Sequence, residues 1–440
     1  MADLPVLITG GAGGVAAAKS VESRASWIAA GVTLAILSIS YGAPLIVVVG
    51  LKPIAAALGA DRSVVALAGS LTWLGTGAGG ILAGRIADRV GVRRTAIFGA
   101  VLAAFGLALS ASGTLWALEI GHGVLIGLLG SGALYPPLVV YVSRWFDRRR
   151  GTALALISSG QYIAGVVWPS LFERGIAAFG WQAVMLGFAA LLCAAIVPLT
   201  LLLRPVPPAA AADGAVARAR AEARALPLSA AKVQLLMCMA NFLCCVPMAM
   251  PSAHLVAFCS DVGIAPAQGA AMLSVLLGCA FVSRQFWGWV ADRVGGLRTV
   301  FAASACQALA IAAFALTRNE AGLFAVSAAF GLGFSGIIPA YVLAIRELFP
   351  SSEAAWRVPM QLLSGMSGMA FGGWFAGALY DRLGFYAPAF AAGALFNLAN
   401  LAAIGFLLAC QAGGARRMAA RGRRAGGALH EPMARGARRS

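Results

Sequence analysis

Arg284 is the side chain whose surroundings say most about chemistry. It interrupts an otherwise uncharged stretch and lies eight residues before Asp292, a charge that marks a membrane surface. At 1.5 Å rise per residue this puts Arg284 roughly 12 Å deep, close to the midplane of a ~30 Å hydrocarbon layer. A charge there costs about 2.5–3.5 kcal/mol on insertion scales, and snorkelling to the surface from that depth is difficult. A partner is therefore expected. The guanidinium is planar and permanently charged, and it matches a carboxylate through two parallel hydrogen bonds. A bound organic anion, an ion-pair partner within the protein, or backbone carbonyls would each meet the requirement.

Further polar groups stand in or beside apolar blocks: Tyr41, Tyr135, Gln161, Tyr162, Asn241, His254 and Tyr341. Tyrosine suits a cavity wall because it offers a hydroxyl and an apolar ring together. Each of these residues is equally compatible with an interhelical hydrogen bond or an interface anchor. His254, near the end of its block, is a candidate for gating or titration as well as for a structural role. Glu119 and His122, three apart, would share one helix face, as an exposed pair or as a proton relay. Enzyme chemistry has no foothold: there is no HExxH, no serine–lysine dyad and no pair of core carboxylates. The eight cysteines show neither CxxC nor Cys/His metal spacing and read as small membrane hydrophobes, so no metal or cofactor is expected. Residues 6–16, VLITGGAGGVA, imitate a dinucleotide-binding loop, but an apolar span begins at Trp27 where a crossover helix and second strand would be needed.

The elements that hold these residues are membrane spans. Sixty per cent of the 440 residues are hydrophobic and 11% are charged, and one soluble core could not absorb so much apolar surface. The apolar residues fall in blocks, such as 27–51, 95–118, 151–172 and 299–317, each near the roughly 20 residues that cross a bilayer. The net charge of +17 does not point to nucleic acid, because its placement is one-sided. With the N-terminus inside, 27 of the 33 Lys and Arg fall on inner segments and 5 on outer loops. That bias predicts both termini in the cytoplasm. No cleavable signal peptide is evident, and the first span would serve as an uncleaved anchor. The basic residues after 411 form a tail suited to anionic lipid.

The chain also repeats itself. Gly84-Arg-Ile-Ala-Asp88-Arg-Val-Gly91-Val-Arg-Arg94 recurs 204 residues on as Gly288-Trp-Val-Ala-Asp292-Arg-Val-Gly295-Gly-Leu-Arg298. Ser131-Gly132 matches Ser335-Gly336 at the same offset, and Ser159-Gly160 matches Ser364-Gly365 at 205. The predicted organisation is an all-α membrane protein with twelve spans in two parallel six-helix halves. Its parts are a cytoplasmic tail (1–25), an N-terminal half (26–203), a Pro/Ala/Arg-rich linker (204–231), a C-terminal half (232–410) and a basic tail (411–440).

This layout, with the GxxADRxGxRR motif between the second and third spans and its echo between the eighth and ninth, resembles the major facilitator superfamily over residues 26–410. Ser40-Tyr41-Gly-Ala-Pro44, Trp145-Phe146 with Arg148 to Gly151, His254-Leu-Val and Arg284-Gln-Phe-Trp-Gly288 are similar to stretches of the monocarboxylate porters and oxalate–formate antiporters. The resemblance implies a multi-pass, monomeric secondary transporter of the cell membrane that works by alternating access. It implies a substrate-binding role for Arg284, with the polar residues above around a central cavity. It also implies a conformational lock at Gly84, Asp88, Arg89 and Gly91, echoed by Gly288 and Asp292. Gly84 and Gly288 are expected to let helices approach closely. The expected cargo is a small organic anion, a mono- or dicarboxylate, with a proton or counter-anion as the open choice of co-substrate. Two rival functions stay open: export of lipophilic compounds, and a sensor or scaffold that no longer transports. Leu45 and Ala280 stand where monocarboxylate porters carry a lysine and an aspartate, which argues against ordinary proton-coupled transport.

Overall fold

The computed structural model describes residues 22–146, 149–205 and 228–428. The glycine-rich segment 6–16, nearly all of the linker, Arg148 and the end of the basic tail lie outside these. Twelve helices are long and apolar enough to cross a membrane. In the first half they are α1 (Arg24–Val49), α2 (Arg62–Val90), α3 (Val92–Ser110), α4 (Leu115–Ser143), α5 (Gly151–Phe179) and α6 (Trp181–Leu201). In the second half they are α7 (Ala230–Asp261), α8 (Pro266–Val294), α9 (Gly296–Leu316), α10 (Glu320–Leu348), α11 (Trp356–Leu383) and α12 (Ala387–Gly413). A short helix, Leu51–Leu58, follows α1. Large apolar side chains such as Val282, Leu309, Leu395 and Phe406 face outward, as lipid contact requires.

Each half packs chiefly within itself, α2 and α3 against α4, and α7 against α11 and α12. Two seams join the halves: α2 with α11, and α5 with α8. Small residues make the packing possible, as they commonly do where helices meet in lipid. A Cβ on Gly79 of α2 would lie 1.9 Å from the Leu128 carbonyl oxygen of α4. That part of α4, Gly121–Ser131, is wound as a π-helix.

The two motif copies turn alike. Gly91 links α2 to α3 at φ 89°, and Gly295 links α8 to α9 at φ 87°, conformations that side-chain-bearing residues rarely adopt. The expectation of close helix approach at Gly84 and Gly288 is not met in this conformation, since a Cβ at either would meet no atom within 4 Å. The exposed Glu119–His122 pair needs correction as well. His122 is fully buried, and its Nδ1 lies 3.0 Å from Ser110 Oγ and 3.1 Å from the Leu118 carbonyl oxygen.

Candidate functional site

Three of the spans around the centre are broken, and the breaks create the site. Helix α1 is interrupted at Tyr41, just before Pro44, which has no N–H to give the preceding turn. Helix α5 is interrupted at Ser159, where the Tyr162 and Ile163 amides both bond to the Ser159 carbonyl. The Ser158 carbonyl thereby loses its helical donor. Helix α10 is interrupted at Ser335–Gly336, and Pro339, four residues after Ser335, has no N–H to offer its carbonyl.

Both freed carbonyls turn to Arg284. Its Nη1 donates to the Ser158 oxygen at 3.0 Å, and its Nε to the Ser335 oxygen at 3.5 Å. The guanidinium carbon lies 4.8 Å from the centre of the Tyr162 ring, within the range of a cation–π contact. Tyr135 donates to Ser158 Oγ at 3.4 Å, and its ring meets that of Tyr41 edge-on at 5.9 Å. Arg284 is only 8% exposed, and no carboxylate pairs with it among the described residues. It is a buried, hydrogen-bonded cation without a counter-charge.

Arg284, Tyr41, Tyr135, Gln161 and Tyr162 all line one cavity of about 240 Å³ between the halves. The other three candidates lie outside its lining and are tied between helices. Asn241 donates to the Gln361 carbonyl at 2.6 Å, and Tyr341 donates to Asn400 Oδ1 at 2.6 Å. His254 has Nε2 2.7 Å from the Gly373 carbonyl oxygen and Nδ1 3.0 Å from the Tyr386 hydroxyl. The lining also includes Trp73, Met248, Met366 and Met369, which sequence reasoning passed over because apolar residues in apolar blocks give no signal. Ser335 had one: it belongs to a repeated Ser-Gly pair ahead of a proline.

One end of the cavity is closed by charges. Asp261 at the end of α7 accepts from Lys52 Nζ at 3.0 Å and from both terminal nitrogens of Arg62 at the start of α2. Asp381 of α11 accepts from the Arg62 and Ser63 amides at 3.1 and 2.9 Å, capping the first turn of a helix in the other half. Arg62 lies over the Tyr380 ring at 3.8 Å and donates to the Tyr386 hydroxyl at 3.2 Å. Donors and acceptors balance if Arg62 gives to Tyr386, Tyr386 to His254 Nδ1, and His254 Nε2–H to Gly373. At the opposite end the described ion pairs, Arg144–Asp88 and Arg357–Glu353, each stay within one half. Arg357, buried against Phe349 and Trp356, went unnoticed in the sequence. Arg89 and Asp292 are exposed.

Twelve apolar helices with a central cavity between two six-helix halves, and inter-half ion pairs at one end among the described residues, define a multi-pass membrane protein built around a central site. The chain belongs to the Major Facilitator Superfamily, whose profile matches residues 26–318. It is similar to the MFS-type transporter pynF of Aspergillus niger, 27% identical over 298 residues, covering 66% of each chain and so just under two thirds of that relative's length. It is also similar to monocarboxylate transporter 13 of Rattus norvegicus, 26% identical over 323 residues, covering 72% of this chain and 73% of the relative. The fold matches a crystal structure of the nucleoside transporter NupG with a TM-score of 0.67 at 16% identity, over 87% of this chain and 100% of that one.

Proposed function

We propose that the protein is a secondary transporter of a small organic anion, a carboxylate, held at Arg284 and exposed alternately to the two sides of the membrane. The observation that carries this is the buried guanidinium in the cavity wall, bonded to two carbonyls yet paired with no carboxylate among the described residues. Carbonyl dipoles moderate the cost of a buried charge without neutralising it, and a carboxylate ligand would supply the missing counter-charge. The likeness to a monocarboxylate transporter agrees with that chemistry.

The Arg284–Ser158 bond also joins the halves, because Arg284 is on α8 and Ser158 on α5. An anion that draws the guanidinium toward itself weakens that tie, which gives substrate a direct hold on the α5–α8 seam. The basic bias of the loops supports an outward-facing Arg62 end, and in that orientation this conformation is closed to the outside. Gly84, Asp88, Arg89 and Gly91, with Gly288 and Asp292, then form the inner lock, which engages when the inner ends approach.

Proteoliposome uptake of labelled mono- and dicarboxylates tests the proposal. Wild type is expected to take up at least one, Arg284→Ala none, and Arg284→Lys a reduced amount. Carboxylate uptake retained in full by both variants would overturn it.

A further inference from the structure

The cavity wall says more about the cargo than its charge. Among the described residues, Arg284 is the only charged side chain in the lining, and it stands toward one end with Ser335, Gln161 and the three tyrosines. Beyond Tyr41 the lining follows α1 through Leu45 and Val48 to Leu51, just after that helix ends. Ten residues of helix correspond to about 15 Å. Across from it stand Met248, Met366, Met369 and Trp73. Methionine makes an apolar wall that adapts to differently shaped ligands.

Two hydroxyls interrupt this wall. Ser252 Oγ donates back to the Met248 carbonyl at 2.8 Å, and Ser70 Oγ is buried without a hydrogen-bond partner. Neither can neutralise a carboxylate. Outside the lining, Lys52 and Arg62 at the closed end share Asp261, and Arg357 is paired with Glu353. A second carboxylate reaching past Tyr41 would be desolvated with no counter-charge, at a cost that one apolar contact cannot offset.

We propose that the transported anion is a monocarboxylate with an apolar body, its carboxylate on Arg284 and its tail along Leu45, Val48 and the methionines. Dicarboxylates and the shortest acids are excluded as good ligands. The inference rests on the reading of Arg284 as the carboxylate anchor. Tail length follows from the wall: the apolar lining from Tyr41 to Leu51 runs about 15 Å, room for an extended alkyl chain of medium length.

The test is a binding series on the full-length protein in nanodiscs, read by calorimetry, because lipophilic acids cross bilayers unaided and would blur an uptake assay. The probes are acetate, butyrate, hexanoate, octanoate and decanoate, with suberate and octanamide as controls. Affinity is expected to rise about fourfold per added methylene for as long as the added carbons lie on the apolar wall. Suberate should bind at least about 100-fold more weakly than octanoate. Met366→Gln should weaken octanoate about tenfold and leave butyrate within about twofold of wild type.

Affinity that depends on Arg284 but not on chain length, or suberate bound as tightly as octanoate, would overturn this inference and leave the anchor standing. Octanamide bound as tightly as octanoate, with Arg284→Gln unchanged, would overturn the anchor itself. Absence of binding by every acid would overturn both.

Discussion

Helix α2 begins at Arg62 and closes on Asp88 and Gly91, and its two ends are engaged in opposite ways. At the Arg62 end its side chain and first amides reach across to Asp261 and Asp381 of the other half. At the Asp88 end its carboxylate takes Arg144 Nη2 at 3.1 Å, a partner on the same half. The burial differs too: Arg62 and Asp261 side chains are 13% and 19% exposed, against 49% and 64% for Arg144 and Asp88. Ion pairs gain strength as water is removed and lose most of it at the surface. Among the described ion pairs, those that join the halves in this conformation lie at the Arg62 end, and those at the Asp88 end each stay within one half.

Substitutions ranked by expected effect would break or sharpen that contrast. The readout is the distance between spin labels at Leu115→Cys and Glu320→Cys, exposed positions beginning α4 and α10 on the Arg62 side. Asp261→Asn leaves Lys52 and Arg62 without their carboxylate, and it should shift the population toward an open Arg62 end by about 10- to 100-fold, or about 1.4–2.8 kcal/mol. Tyr386→Phe removes the hydroxyl between Arg62 and His254 and should give a shift of about 1 kcal/mol, roughly fivefold. Lys52→Ala should change the distribution by less than about 1 kcal/mol, because that side chain is 38% exposed. Asp88→Asn weakens only a lock made when the inner ends meet, so it should not raise the open Arg62-end population, and a rise as large as that of Asp261→Asn would show that the contrast between the ends is mistaken.

Much of this architecture was legible in the chain. The spans follow from blocks too long and too apolar for a soluble core, and the paired motifs revealed two halves, whose like turns at Gly91 and Gly295 only the structure shows. Arg284 stood out because a charge in an apolar block is expensive. The partners of Arg284 were harder to see because they are backbone atoms, and carbonyls carry no residue type. Only the interruption near Ser159 and the proline at 339 hint that they are free. Asn241 and Tyr341 resembled cavity polar groups in type, yet which way a helix face points depends on its neighbours. The charges of the closed end, Lys52, Arg62, Asp261 and Asp381, look in sequence like ordinary loop residues. Their meeting depends on chain segments some 200 to 320 residues apart. His122 was misread because the π-helical winding of α4 and its packing on α3 are tertiary outcomes.

The central claim is that the charge of Arg284 is answered by the charge of a ligand. Calorimetric binding of octanoate and its isosteric amide to wild type and Arg284→Gln tests it most directly, since the pair differs in charge and hardly in size. Octanoate should bind wild type about 100-fold more tightly than octanamide, and that preference should vanish in Arg284→Gln. An equal preference for the acid in both proteins would contradict the account.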